Sequence, residues 1–388
     1  MPLDRIFNIY LLMFFFPLVF MLLRFNQRRV LYLIALVYSV LIGFRYEVGG
    51  DWNAYLEMLN MAGNYGFWDY LNLNDKGYML LNWMAYHYGG GIYLVNFICA
   101  LLFMYGLVRF VKLEPNPLLA LLVAVPYLVV VVAMGYTRQS VAIGFVFLAL
   151  SFYYERRLFW VVLSLTLATF FHKTAIVAFL PLLLLPKDIV STKNKLLIAG
   201  WTAILFYFLV VPSLNRMLYV YVGKIEPFMD GSDLLVEQPI QSPGKKFVES
   251  SDNIAESSKP LVESSGGLIR ILINIIPAII FLAFRNRFSV NREIAIIMTL
   301  ASVFSIILLP VVFKFSTIAD RIGLYLTSIQ LFVFNRIVDI SENNLFRRVL
   351  LVGIVLYYLS MLTVWLSFGK HANAWIPYKF ALFEIFKQ

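Results

Sequence analysis

Residues 6–23 read IFNIYLLMFFFPLVFMLL, an uncharged run close to the length of about 20 apolar residues that crosses the hydrocarbon of a bilayer. A second run, ILINIIPAIIFLAF at 271–284, has the same character. Across 388 residues the chain is 61% hydrophobic, and only 14% of its residues are charged. A soluble domain carries about 25% charged residues, so one globular core cannot hide this apolar excess. The fold class that follows is an all-α polytopic membrane protein. The first run lacks a small-x-small cleavage site and ends in Arg24, so it reads as a retained helix rather than a signal peptide. Cys99 is the sole cysteine, which excludes an intramolecular disulfide and leaves a small apolar residue in a helix.

Working outward, the apolar runs predict about 12 transmembrane helices, at 6–23, 30–44, 91–110, 117–134, 138–154, 158–171, 174–186, 196–212, 268–284, 294–313, 322–335 and 349–367. Together they make residues 1–388 a single integral membrane domain. Segment 77–88, GYMLLNWMAYHY, is amphipathic and short, so a helix lying at the surface is expected, closed by Gly89, Gly90 and Gly91. Residues 45–90 then form a loop with that helix on one face. Residues 213–267, with VESS twice and few aromatics, are expected to be a long, mobile external loop.

The net charge of +10 does not point to nucleic acid, because most Lys and Arg lie in short loops between spans. Arg24, Arg28 and Arg29; Arg109 and Lys112; Arg156 and Arg157; Lys187, Lys193 and Lys195; Arg285, Arg287 and Arg292; and Arg336, Arg347 and Arg348 all fall in loops of one parity. The positive-inside rule makes that face cytoplasmic. The opposite face would carry the 45–76 loop and the corners at 134–139, 171–173 and 314–321.

Those outer corners hold Arg45, Arg138 and Arg321. Each one alone reads as an interface arginine that snorkels or pairs with Glu47, Asp51 or Asp320. Three on the face with least need of cations suggest an anionic ligand, since a guanidinium fork binds phosphate oxygens bidentately. His172 sits at a corner after Phe170-Phe171. It is a candidate base, with a helix-end histidine bonded to a carbonyl as the structural alternative. His87, His172 and His371 lack metal-ligand spacing, and motifs for zinc peptidases, P-loops and hydrolases are missing, so no metal or cofactor is expected. Tyr46, Trp52, Tyr55, Tyr65, Trp68 and Tyr70, mixed with Asp51 and several asparagines, suit an interface belt or a sugar surface.

The order of motifs resembles the EpsG-like, Wzy-type polysaccharide polymerases. FRYEVGGDWNAYLEML (44–59) resembles their R-x-x-x-G-x-D-x-x-x-Y opening, followed by KGYMLLNWM (76–84) and by TRQSVAIGFVFLALSF (137–152). FFHKTAIVAFLPLLLL (170–185), ADRIGLYL (319–326) and WIPY (375–378) continue the likeness, which spans most of the chain except 213–267. The resemblance implies a metal-independent, inverting glycosyltransferase, similar in fold to multi-helix lipid-linked glycosyltransferases. It would join undecaprenyl-pyrophosphate-linked repeats of an O-antigen, capsule or exopolysaccharide at the outer face of a bacterial inner membrane. Its partners would be that lipid-linked oligosaccharide, membrane lipid and a chain-length regulator protein. On this reading Arg45, Arg138 and Arg321 bind the pyrophosphate, and His172 first, or Asp51 second, is the base. Gln139, Tyr55, Tyr325 and Asp320 order the site, and Gly49 and Gly50 let backbone approach the ligand. The alternatives are a flippase for the same lipid, or an O-antigen ligase or acyltransferase.

Overall fold

Helices start where a polar side chain satisfies the free amides of a first turn. Asn26 Oδ1 accepts from the Arg29 amide at 3.3 Å, Ser191 Oγ from Asn194 at 3.3 Å, and Asn343 Oδ1 from Leu345 at 2.8 Å. Pro117 begins another helix at the position where a missing N–H costs nothing. The computed structural model describes residues 9–23, 25–212, 214, 267–340 and 342–385. The expected loop at 213–267 and the loop residue Arg24 lie almost wholly outside them.

In chain order the helices are α1 (Ile9–Leu22), α2 (Gln27–Gly43), α3 (Trp52–Asn60), α4 (Phe67–Leu71), α5 (Lys76–His87) and α6 (Gly91–Val111). Then come α7 (Pro117–Ala124), extended by a π-helical stretch Val125–Ala133, α8 (Thr137–Tyr154) and α9 (Leu158–Phe171). A 3₁₀ segment Lys173–Phe179 leads into α10 (Leu180–Leu184), followed by α11 (Thr192–Leu205). The rest are α12 (Gly267–Phe284), α13 (Arg292–Val312), α14 (Ser316–Gly323), α15 (Ser328–Ile340), α16 (Asn344–Phe368) and α17 (Ala381–Ile385).

Among the described residues five helical stretches are long and apolar enough to cross a membrane: 91–111, 192–210, 267–287, 292–312 and 344–368. Shorter apolar helices accompany them. The arrangement is that of an all-α membrane protein with a protein-facing centre and a lipid-facing rim. Every residue of α7 is buried, whereas only 11% of the 192–210 window and 22% of the 344–368 window are. Leu196, Leu197, Val349 and Leu356 stand exposed on those rim helices. In water such surface would be a liability; against acyl chains it costs nothing.

Close helix contact is made by small residues. A Cβ on Gly106 of α6 would lie 1.9 Å from the Gly144 carbonyl oxygen of α8, and one on Gly43 of α2 would lie 2.7 Å from Phe97 Cα of α6. Thus α6 is gripped between α2 and α8, and α9 packs on the far side of α8.

The two ends of the bundle differ in chemistry. At one end the basic loops meet acidic ones: Arg109 pairs with Glu155 at 2.5 Å, Arg156 with Glu293 at 2.7 Å, and Arg292 with Asp188 at 2.5 Å. Arg336 pairs with Glu114 at 2.7 Å and Arg347 with Asp339 at 2.6 Å. Loops far apart in sequence but alike in basic content therefore share one end.

At the other end several expected loops are helical. Within residues 45–76, α3 and α4 are helical, and positions three and four apart give α3 one buried face of Trp52, Tyr55, Met58 and Leu59. The corner expected at 314–321 is mostly α14, which turns Ala319 and Gly323 inward. The span expected at 174–186 is a 3₁₀ segment joined to a one-turn helix, since His172 leaves α9 in extended conformation. Helix α5 is amphipathic as expected, with Tyr78, Met79, Asn82 and Ala85 buried.

Candidate active site

The base of this end is a clasp between sequence extremes. Residues 374–381 run beside 44–49, where the Tyr46 amide donates to Lys379 O at 2.9 Å, Ala381 to Phe44 O at 2.8 Å, and Gly49 to Ala374 O at 2.8 Å. Trp375 Nε1 donates to Val130 O at 2.9 Å, and Tyr10 OH to Trp375 O at 2.7 Å. The C-terminal WIPY motif is therefore a wedge that holds the 43–51 loop against the centre of the bundle.

Arg45 lies inside this wedge with no exposure. Its Nε donates to Val48 O at 3.1 Å and Nη1 to Ile42 O at 2.5 Å, while Nη2 reaches Thr137 Oγ1 at 2.9 Å and Asn96 Oδ1 at 3.3 Å. A guanidinium so occupied ties the end of α2 to α6 and α8, and nothing of it is presented to a ligand. That corrects the expected contact between Arg45 and a pyrophosphate.

Gly49 also differs from expectation. Its φ is +106°, and a Cβ there would sit 2.2 Å from Met134 O, so the close approach is to protein backbone and not to a ligand. Gly50 is open, with the Trp375 ring 4.0 Å from where a Cβ would lie.

Above the clasp stand the groups that remain available. Asp51 precedes α3 without capping it. Burial raises its carboxyl above the usual range, and the guanidiniums of Arg138 and Arg321 oppose that rise. Arg138, at the start of α8, donates through Nη1 to Asn74 Oδ1 at 2.6 Å and to Asp75 Oδ2 at 2.8 Å. Its Nε is buried without a hydrogen-bond partner, and the guanidinium lies 5.9 Å from the Tyr55 ring centre. Burial pushes the Tyr55 hydroxyl up to about 12 despite Arg138 beside it, so it is a hydrogen-bond donor and not a phenolate.

Arg321 on α14 is exposed, and its guanidinium makes no hydrogen bond or ion pair with the described residues. The Gln139 side chain anchors the adjoining backbone by donating to Arg321 O at 2.9 Å. Asp320 is committed elsewhere: both of its oxygens face Arg270 of α12, with Oδ2 2.7 Å from Nη2. The expectation that Asp320 orders substrate gives way to an ion pair that fixes α14 against α12.

His172 closes the site. Its Nδ1 lies 2.6 Å from Thr174 Oγ1 and 3.2 Å from Tyr325 OH, and Thr174 Oγ1 is 3.0 Å from Tyr325 OH. Burial, then Arg138, Arg321 and Lys173, hold the imidazole well below its usual value, so it is neutral. The helix-end reading is met only by the backbone, where the His172 amide donates to Ala168 O at 2.9 Å. The imidazole itself bonds hydroxyls.

The structure thus brings Asp51, Tyr55, Arg138, Gln139, His172, Arg321 and Tyr325 to one end of the bundle. It puts Arg45 and Gly49 beneath them and Asp320 to one side. Sequence reasoning missed Asp75, whose Oδ1 also accepts from the Lys173 amide at 3.3 Å, joining the Arg138 and His172 corners. It missed Thr174 as well. Asp75 could have been found as the acidic residue directly before the KGYMLLNWM motif. Among the described residues no three His, Cys, Asp or Glu side chains gather as a metal's ligand set.

An apolar cavity of about 260 Å³ opens between α8, α9, α10 and α13, lined by Leu150, Leu165, Val177, Met298 and Phe304. Tyr325 is part of its wall, so the cavity adjoins the His172 cluster.

Among curated proteins none matches the chain. The model of the EpsG family matches residues 28–380, from the start of α2 through the Phe380 that pairs with Arg45 in the clasp, and the chain belongs to that family.

Proposed function

We propose that the protein is a polysaccharide polymerase that joins undecaprenyl-pyrophosphate-linked repeats at the outer face of the inner membrane, with the chain crossing the bilayer about twelve times. One observation carries the reading: the buried His172 bonds Thr174 and Tyr325, Asp75 ties that corner to Arg138, and the same cluster meets an apolar cavity through Tyr325. That is the polarity of a lipid pyrophosphate, with charge at one end and hydrocarbon at the other. Membership of the EpsG family supports the same class of work.

In the proposed reaction the hydroxyl of an acceptor repeat attacks the anomeric carbon of the donor. The carbon–oxygen bond to pyrophosphate breaks, and direct displacement inverts the centre. Arg138, through its unpartnered Nε, and the exposed Arg321 stabilise charge developing on the leaving pyrophosphate. The acceptor's proton goes to His172. In the tautomer that donates from Nδ1 to Thr174, the Nε2 lone pair is free to take it. Burial, and after it the charges of Arg138 and Arg321, keep His172 a weak base. A bound pyrophosphate neutralises them, so base strength rises only when donor is present. No metal enters this scheme.

The test is polymer formation by the purified protein in lipid vesicles supplied with lipid-linked repeat alone. A ladder of lengthened glycans supports the reading. A flippase would move the repeat without lengthening it, and a ligase would need a different acceptor; either result rejects the proposal. In cells, deletion should remove long chains while single repeats still reach the surface.

A further inference from the structure

Asp75 stands just before the first turn of α5 with extended backbone (φ −65°, ψ 114°), where a carboxylate ordinarily caps the helix. Its side chain makes no capping hydrogen bond. Instead Oδ2 accepts from Arg138 Nη1 at 2.8 Å, and Oδ1 accepts from the Lys173 amide at 3.3 Å. Nor is this a surface ion pair, since only 4% of the Asp75 side chain is exposed. Gly77 makes the approach possible. A Cβ there would lie 3.1 Å from the Phe171 ring and 3.2 Å from Phe170 O, so the first turn of α5 is seated on the end of α9.

We infer that Asp75 is a positioning residue for the transfer reaction, holding Arg138 and His172 in register with each other. The inference rests on the polymerase reading and adds to it a residue that need touch neither substrate. Its two oxygens serve two corners. At the first, Asn74 Oδ1 joins Asp75 in accepting from Arg138 Nη1, at 2.6 Å, and Nε is left without a partner. Asn74 Oδ1 also accepts from the Asp75 amide at 3.0 Å, so the two acceptors form one unit. At the second, the Lys173 amide follows His172 directly, while the His172 ring is held from its own side by Thr174 and Tyr325. A shift of the carboxylate therefore moves the group that stabilises the leaving pyrophosphate relative to the group that takes the proton. A misplacement of about 1 Å between such groups can cost about 10²-fold in rate. Helix capping explains neither contact, and charge pairing explains only the one to Arg138.

The test is steady-state polymer formation from lipid-linked repeat by full-length variants in lipid vesicles, expressed per folded protein. Asp75→Asn keeps the shape but sets one acceptor oxygen against two donors. It should lower kcat about 10²-fold without raising KM, the pattern of an arrangement that matters in the transition state. Lys173→Pro removes the amide donor and leaves the carboxylate intact. His172 is already extended (φ −156°, ψ 112°), in the region that a following proline favours. Its kcat should fall about tenfold or more below that of Lys173→Ala, which keeps the amide. In an Arg138→Lys background Asp75→Asn should cost at most about threefold more, because the register is already lost; with Arg321→Lys the two losses should multiply. A role in folding alone predicts less protein, normal kcat per folded molecule and losses that multiply in both pairs. Wild-type kcat in Asp75→Asn, equal kcat in Lys173→Pro and Lys173→Ala, or multiplied losses with Arg138→Lys each overturn the assignment while wild type still makes polymer. A wild type that makes no polymer rejects the polymerase reading, and this role falls with it.

Discussion

Three arginines of the same kind on paper have three different surroundings. Arg45 is wholly buried with four acceptors, Arg138 is partly engaged with an orphan Nε, and Arg321 is exposed and unpaired among the described residues. Alanine at Arg45 leaves buried oxygens without a donor, each worth about 1–3 kcal/mol. We therefore expect Arg45→Ala to reduce the amount of folded protein in the membrane, and Arg45→Lys to rescue little, because one ammonium cannot span those acceptors. Arg321→Ala should instead leave protein levels near normal and lose long-chain glycan, with lysine restoring only part of it, whereas Arg138→Ala, which also strips the buried Asp75 of its partner, should lower both protein and glycan. Quantitative blotting beside glycan gels separates the two outcomes. A folded, fully active Arg45→Ala protein would contradict the clasp.

His172 adds a pH dependence at the same scale. Its native pKa is depressed, so above about 6.5 the histidine is neutral in both folded and unfolded states and contributes nothing. As pH falls below that value the unfolded chain takes up a proton that the native site refuses, and stability falls by up to about 1.4 kcal/mol per pH unit. Thermal midpoints in detergent between pH 7.5 and 5 should drop in wild type and drop less in His172→Gln. Identical pH profiles would mean that the imidazole is protonated in the native state.

Among elements, the α6–α8 contact is the tightest that the sequence leaves inconspicuous. A methyl group on Gly106 has no room against the Gly144 carbonyl, and backbone cannot move aside as a side chain can. Gly106→Ala should therefore force the helices apart at a cost of about 1–3 kcal/mol. The change should appear as a lower thermal midpoint with secondary structure retained by circular dichroism. Since Thr137 and Asn96, on the same two helices, hold Arg45, activity should fall with it. Gly200 of α11 has nothing within 4 Å of the position a Cβ would take, so Gly200→Ala serves as the silent comparison.

The whole molecule is polarised, with the basic loops and their paired carboxylates at one end and the arginine–histidine cluster at the other. If the paired end is cytoplasmic, as its lysines and arginines require, reporters fused after residues 157 or 290 should read as cytoplasmic and one near residue 60 as external. A cytoplasmic signal at 60 would place the cluster in the wrong compartment for its proposed substrate.

Apolar length, the parity of basic loops and the order of short motifs are local properties, readable from the chain because a bilayer imposes one solvent on every span. Those properties alone determined the helical membrane class and the grouping of basic loops, and they pointed to the corners that carry Arg138, His172 and Arg321. What Arg45 does was decided only by folding, since burial depends on residues 374–381, more than 300 positions away, closing over it. Asp75 joined the site for the same reason, being brought by α5 between Arg138 and Lys173. A guanidinium has the same chemistry whether it braces a loop or faces a phosphate. Only the positions of its acceptors, which tertiary packing supplies, tell the two apart.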